Sequence, residues 1–117
     1  MPLQTYLKNR MLDQAITSPV YLSLHTATPS QGTPNEVTGG SPAYARKSAA
    51  IGAASAGVRA ITGTPITFDV PSATTITHVG MWDASTAGNL LDYYDVTDEA
   101  FGAQGKADVN SYTLTLP

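Results

Sequence analysis

Two oppositely charged residues and a pair of glycines stand out in the stretch NEVTGGSPAYAR, residues 35–46. Glu36 and Arg46 flank Gly39-Gly40, and adjacent glycines can cradle a phosphate when a lysine and a helix N-terminus follow them. Here a serine and a proline follow the glycines, and a strand-like segment begins at Tyr44. The stretch therefore predicts a structured loop, in which Gly39-Gly40 make the bend and Tyr44 starts the buried side.

The two histidines, His25 and His78, are the candidate bases for nucleophilic catalysis. Both lie in predicted strands, and no serine occupies a G-x-S-x-G pattern. The histidines are not spaced as metal ligands on one element, and the chain has no cysteine. A small hydrolase using His78 and Asp83 is the enzymatic alternative, but it lacks an identifiable nucleophile. The sequence therefore predicts no enzyme, no catalytic residue, no cofactor and no metal.

A loose acidic cluster lies in the segment DYYDVTDE and comprises Asp92, Asp95, Asp98 and Glu99. A calcium loop would alternate oxygen ligands around a glycine turn, and that turn is missing here. Glycoside hydrolysis would need two carboxylates across a cleft, which nothing in the sequence places there. We interpret the cluster as the solvated end of a hairpin.

Aromatic residues offer a second kind of binding surface. Tyr93 and Tyr94 are consecutive, so they point to opposite faces of a strand, and one of them is available to an interface. Together with Trp82 they form the candidate platform for a host-surface glycan. Most of the other aromatic residues alternate with apolar neighbours, which is typical of a core.

The charge balance argues against nucleic acid as a direct partner. The net charge is −3 and only 13% of residues are charged, so the clustered basic residues that phosphate binding requires are missing. A surface so poor in charge suits a protein packed against copies of itself or other subunits. No apolar run is long enough to cross a bilayer, and the N-terminus lacks a signal-peptide pattern. We expect no membrane partner and a chain that is cytosolic when made.

One helix is predicted at the N-terminus, over residues 3–16. Its apolar residues recur every three or four positions: Leu3, Tyr6, Leu7, Met11, Leu12, Ala15 and Ile16. Pro2 suits the first turn, and Ser18 before Pro19 ends the helix. The apolar stripe of this helix must pack either on its own domain or on a neighbouring subunit.

The remainder of the chain, residues 19–117, is predicted to be a β-sandwich. About seven strands at spacings near ten residues favour an antiparallel jelly-roll or immunoglobulin-like sandwich, within one domain of residues 1–117. The predicted strands are 20–26, 44–51, 58–62, 65–70, 74–84, 89–96 and 108–117, with loops at 27–43, 52–57 and 97–107. Strand 74–84 has apolar residues on both faces and is predicted to be central, with 89–96 as its hairpin partner.

Three segments occur in a characteristic order after the short helix: VYLSLHTATPS, NEVTGGSPAYAR and THVGMWDASTAGNLL. With PITFDV between the last two, they resemble a family of small tailed-bacteriophage structural proteins, the phage tail fibre or minor tail proteins. The resemblance covers nearly the whole chain. The segments are not catalytic motifs.

The resemblance implies a non-enzymatic structural component of a tailed-bacteriophage virion, acting through protein–protein contacts as a minor tail or tail-fibre-like subunit. Other virion proteins and further copies of the chain are the expected partners. A capsid decoration protein and a host-glycan-binding module are the alternatives. The candidate assembly or loop contacts are Glu36, Gly39, Gly40, Tyr44, Arg46 and Tyr94.

Overall fold

The computed structural model describes residues 4–115, which are mainly β with antiparallel sheets and one helix. The helix α1 spans Thr5–Ala15, and the described strands are β1 Val20–His25, β2 Lys47–Ala49, β3 Val58–Ala60, β4 Ile66–Val70, β5 Thr74–Trp82, β6 Leu90–Phe101, β7 Gly105–Val109 and β8 Thr113–Thr115. The predicted fold class is confirmed. The described residues hold eight strands, where about seven were predicted.

The strands form three antiparallel sheets within the described residues. The largest has the order β2-β1-β5-β6, and β3 pairs with β8 while β4 pairs with β7. In the large sheet β5 lies between β1 and β6, with Leu22 opposite Met81 on one side and Tyr93 opposite Gly80 on the other. The predictions that β5 is interior and that β6 is its hairpin partner are therefore confirmed.

A single cluster of apolar side chains lies between these sheets in a sandwich-like arrangement. Leu22 from β1, Phe68 and Val70 from β4, and Met81 from β5 have no exposed surface. The alternation in PITFDV explains the contribution of β4, because every second residue of a strand faces the same side. Each such side chain contributes about 1.5–3 kcal/mol by leaving water.

The helix α1 packs on its own chain. Leu12 and Ile16 are buried, Asn9 Oδ1 accepts a hydrogen bond from Gly57 N at 2.8 Å, and Asp13 Oδ1 accepts one from Ala54 N at 2.8 Å. Part of the predicted apolar stripe stays exposed, and the predicted start at Pro2 and Leu3 lies outside the described residues. Across residues 4–115, no helix has both the length and the apolar character to cross a membrane.

The loop predicted at 97–107 is wrong. Strand β6 continues to Phe101, where it lies opposite Thr74, and β7 begins at Gly105, where it lies opposite Val70. The acidic and glycine-rich sequence suggested a loop, but pairing with β5 and β4 overrides the weak local preference. Because Asp98 and Glu99 are exposed in the extended strand, their charges cost little there.

Other strand boundaries also differ from the predicted ones: the strand predicted at 58–62 is limited to Val58–Ala60, and two predictions differ more. The strand predicted at 44–51 is limited to Lys47–Ala49, because the preceding residues are bonded into the loop. The strand predicted at 108–117 is divided between β7 and β8, which pair with different partners. Tyr112 lies between them and is buried, Leu114 packs against the core, and Leu116 lies outside the described residues.

Candidate assembly site

The long loop after β1 turns back along the strand it leaves. Thr26 N donates to Asn35 O at 3.0 Å, and Val37 N donates to Leu24 O at 3.1 Å. These two hydrogen bonds set Glu36 opposite His25 in an antiparallel bridge. The acidic residue is therefore held at the end of β1, beside the core.

Gly39 and Gly40 make the bend that the sequence predicts. Their φ angles are 90° and 100°, a region that residues with a side chain rarely adopt. Tyr44 N donates to Gly39 O at 2.8 Å and closes the turn. A Cβ on Gly40 would lie 2.9 Å from Gln104 Oε1 and 3.1 Å from Pro71 Cβ, so a larger residue would also displace its neighbours.

Arg46 joins this loop to the turn between β5 and β6. Its guanidinium donates to both carboxylate oxygens of Glu36, with Nη2 at 3.0 Å from Oε1 and Nε at 3.0 Å from Oε2. Its Nη1 donates to Ala84 O at 3.0 Å and Ala87 O at 2.8 Å. The same group lies 3.8 Å from the centre of the Trp82 ring, in cation–π contact. Only 8% of the Arg46 side chain is exposed.

Tyr44 completes the cluster from the other side of the carboxylate. Its hydroxyl donates to Glu36 Oε2 at 2.7 Å and accepts from Leu24 N at 3.0 Å, and its ring stacks on Phe68. Burial, reinforced by the Glu36 carboxylate, raises the pKa of Tyr44 far above its usual value. The hydroxyl therefore remains a donor at any physiological pH. We call Glu36, Tyr44 and Arg46 the latch.

The latch is suited to holding structure. Most of its donors and acceptors are bonded within the chain, and the Tyr44 hydroxyl, whose pKa is raised by burial, keeps its proton and donates to Glu36. The three latch residues line a shallow cleft of about 310 Å³, together with residues 85–87 of the β5–β6 turn. The latch therefore fixes the loop and the turn as one surface.

Tyr94 lies in a different part of the fold. Its hydroxyl donates to Ser111 O at 3.2 Å, and its ring meets Tyr112 edge to face at 4.7 Å between ring centres. Burial raises the pKa of Tyr94. The structure thus brings together Glu36, Tyr44 and Arg46, and their hydrogen bonds in the described residues do not involve Tyr94. The exposed member of the tyrosine pair is Tyr93.

The platform suggested by Tyr93, Tyr94 and Trp82 is not formed as a single exposed surface. Trp82 is buried, its ring is in contact with Arg46, and its Nε1 donates to Ser23 Oγ at 2.8 Å. A sugar ring cannot reach the indole face without displacing Arg46. The interpretation of Trp82 as a glycan contact is therefore wrong.

A buried Ser–His pair lies beneath the latch. Ser23 Oγ is 2.6 Å from His25 Nε2, and His25 Nδ1 is 2.7 Å from Pro34 O. A carbonyl only accepts, so Nδ1 carries the proton, Nε2 accepts from Ser23, and Ser23 accepts from Trp82. Both side chains are fully buried, so no substrate reaches them. The alternation of apolar and polar residues in β1 did not predict that the polar face, with Ser23 and His25, would also be buried.

The buried histidine predicts a pH-dependent stability. Burial lowers the pKa of His25 below 6.5, opposed by the hydrogen bond to Pro34 and the Glu36 charge and assisted by Arg46. As the pH falls, His25 therefore binds a proton at a higher pH in the unfolded chain than in the folded chain. Stability is fully present above about pH 6.5 and falls below it by up to about 1.4 kcal/mol per pH unit until the folded pKa is reached.

Urea unfolding between about pH 8 and about pH 5 measures this loss of stability. In this window the unfolded chain binds a proton at His25 that the folded chain does not bind, so the free energy of unfolding falls as the pH falls. Carboxylates with lowered pKa values, such as Asp69 and Asp83, lose their contribution at lower pH. The variant His25→Gln should show a flatter profile in the same window. An unchanged slope in this variant would contradict the assignment to His25.

Gly80 on β5 predicts a second stability effect at the same network. A Cβ at this position would lie 2.6 Å from His25 Nε2 and 2.7 Å from Ser23 Oγ, and both groups are buried and bonded. We expect Gly80→Ala to destabilise the fold by about 2–3 kcal/mol through overpacking. Gly102→Ala is the matched control, since a Cβ there meets nothing within 4 Å. Thermal unfolding of the two variants compares them, and equal stability would refute the steric argument.

The remaining charged candidates are bonded to separate partners. Asp83 accepts from Asn89 N at 2.7 Å and from Asn89 Nδ2 at 2.8 Å, and these bonds lower the pKa of Asp83. His78 Nδ1 lies 2.7 Å from Thr77 Oγ1. Within residues 4–115, no group of three or more His, Cys, Asp or Glu side chains is arranged to hold a metal ion.

Comparison with known proteins identifies the family. No curated protein matches the chain significantly. The family model described as "Podophage GP4 fiber I protein gp80" matches residues 2–115, which is nearly the whole chain. The resemblance to tailed-phage tail-fibre proteins is thereby confirmed, and the chain belongs to the podophage GP4 fiber I protein gp80 family.

Proposed function

We propose that the protein is a non-enzymatic structural subunit of a tailed-bacteriophage virion, placed at the tail as a minor tail or tail-fibre-like component. The family match over residues 2–115 is the observation that carries this proposal. The chain would act by binding other virion proteins and further copies of itself. It would need no cofactor for this role.

The latch supports such a role by making a loop rigid. Arg46 and Glu36 tie residues 26–46 to the β5–β6 turn, and the Gly39-Gly40 bend is held by Tyr44 and Gln104. A preorganised loop loses little conformational entropy when it contacts a partner. In this proposal the latch residues act within the chain, and the exposed surface of the loop contacts other virion proteins.

The position on the virion can be tested on purified particles of the phage that encodes the chain. Immunogold labelling with an antibody against the chain should decorate the tail or its tip. Label distributed over the head would favour the capsid decoration alternative. Particles without the protein, confirmed by mass spectrometry, would contradict a virion role altogether.

A further inference from the structure

The exposed large apolar side chains of the described residues occupy two surfaces. Tyr6, Leu7 and Met11 lie on α1 with 73%, 46% and 43% of their surface exposed, and Tyr93 lies on β6 with 43% exposed. Single exposed apolar residues are ordinary, but three within two turns of one helix form a patch. This patch lies on α1 away from Leu12 and Ile16, which pack on the domain.

The two surfaces carry opposite charge. On α1, Arg10 lies 5.9 Å from the centre of the Tyr6 ring, so a cation sits within the apolar patch. On β6, Asp95 and Glu99 are exposed, and neither takes part in the three salt bridges found among residues 4–115. By contrast, the guanidinium groups of Arg46 and Arg59 are buried in the domain. The exposed charge beside Tyr6 is thus positive and the exposed charge on β6 is negative, while Asp13 of α1 is bonded to Ala54 N and lies 3.8 Å from Arg59.

We propose that the helix surface, formed by Tyr6, Leu7, Arg10 and Met11, docks on the β6 surface of a second copy, formed by Tyr93 and Asp95. Apolar side chains would cover Tyr93, and Arg10 would pair with Asp95. This inference rests on the proposed function and specifies the self-association that it includes.

The charges favour contact between unlike surfaces over contact between like surfaces. Two helix surfaces facing each other would bring Arg10 against its own copy, and two β6 surfaces would bring carboxylates together. A contact between unlike surfaces is either reciprocal, which closes a two-fold dimer, or head-to-tail, which leaves one of each surface free on the pair. We assign the head-to-tail arrangement, because it builds the rings or open chains that a repeated structural subunit requires.

The contact is expected to be weak between isolated chains. A helix of 11 residues is about 16 Å long, so its patch is smaller than the roughly 800 Å² per partner of a stable interface. A dissociation constant on the order of 100 µM is therefore expected. In a particle, repetition of the contact raises the effective concentration and compensates for this weakness.

Sedimentation velocity of the full chain, at concentrations up to about 1 mM, tests the contact. The wild type should self-associate, and Arg10→Glu and Asp95→Lys should each weaken association by at least about tenfold. The double variant and an equimolar mixture of the two single variants should both recover it, because each restores a pair of opposite charges. Lys47→Glu is the control, because it makes the same charge change as Arg10→Glu but lies on β2, at the edge of the sheet opposite to β6. This variant should associate like the wild type.

A wild type that stays monomeric over this range would overturn the proposal. Equal association of the wild type and both single charge variants would also overturn it, because the contact would then lie elsewhere. Failure here is distinct from failure of the virion role. Particles that carry the protein while the isolated chain stays monomeric would retain the proposed function and remove only the head-to-tail contact.

Discussion

Replacing Arg46 with methionine is expected to destabilise the protein by about 3–5 kcal/mol, because the partly buried Glu36 carboxylate keeps only the Tyr44 hydroxyl as a donor and two turn carbonyls lose theirs. Methionine keeps an apolar side chain over Trp82, so the loss reports the polar contacts and not an emptied volume. Trp82 is the single tryptophan of the chain and lies against Arg46, so its fluorescence follows urea unfolding at the site itself.

Two further variants separate the parts of the Arg46 interaction. Glu36→Gln combined with Arg46→Met completes a double-mutant cycle, and the double variant should cost less than the sum of the single changes. Arg46→Lys keeps the charge but cannot bond the carboxylate and both carbonyls at once, so an intermediate loss is expected. An Arg46→Met variant within about 0.5 kcal/mol of the wild type would show that the latch does not stabilise the fold.

The latch shows which contacts could be predicted from the sequence and which could not. Glu36 and Arg46 were recognisable because they flank the only adjacent glycine pair, and strand alternation predicted that Tyr44 would face inward. The carbonyls of Ala84 and Ala87 were not recognisable, since they lie about forty residues away and any residue type supplies a carbonyl. The burial of Trp82 follows from that long-range contact and was missed for the same reason.

Errors in the strand assignments have a similar origin. The alternation of β4 and the β-branched and aromatic residues of β5 define those strands locally, so both were predicted close to their observed bounds. The second half of β6 has a polar, acidic sequence, and only its pairing with Thr74, Thr75 and Ile76 makes it a strand. Local sequence could not indicate that β6 would continue along β5 as far as Thr74.

Replacing Arg59 with methionine is expected to cost about 3–5 kcal/mol and to release the helix from the domain. Arg59 is 6% exposed, and its guanidinium donates to Gly52 O at 2.7 Å, to Leu12 O at 3.0 Å and to Ile16 O. The last two carbonyls belong to the C-terminal end of α1, where a cation also interacts favourably with the helix dipole. Far-ultraviolet circular dichroism and urea unfolding would measure the loss of helix and of stability.

The helix would respond because its other described attachments are the buried side chains of Leu12 and Ile16 and the hydrogen bonds of Asn9 and Asp13. Asp13→Asn is the matched control, since Asp13 lies 3.8 Å from Arg59 and is half-exposed, while asparagine keeps the oxygen that accepts from Ala54 N. We expect it to cost less than about 1 kcal/mol. If Asp13→Asn proved as damaging as Arg59→Met, the ion pair would hold the helix, and the carbonyl bonds of Arg59 would not be its main attachment.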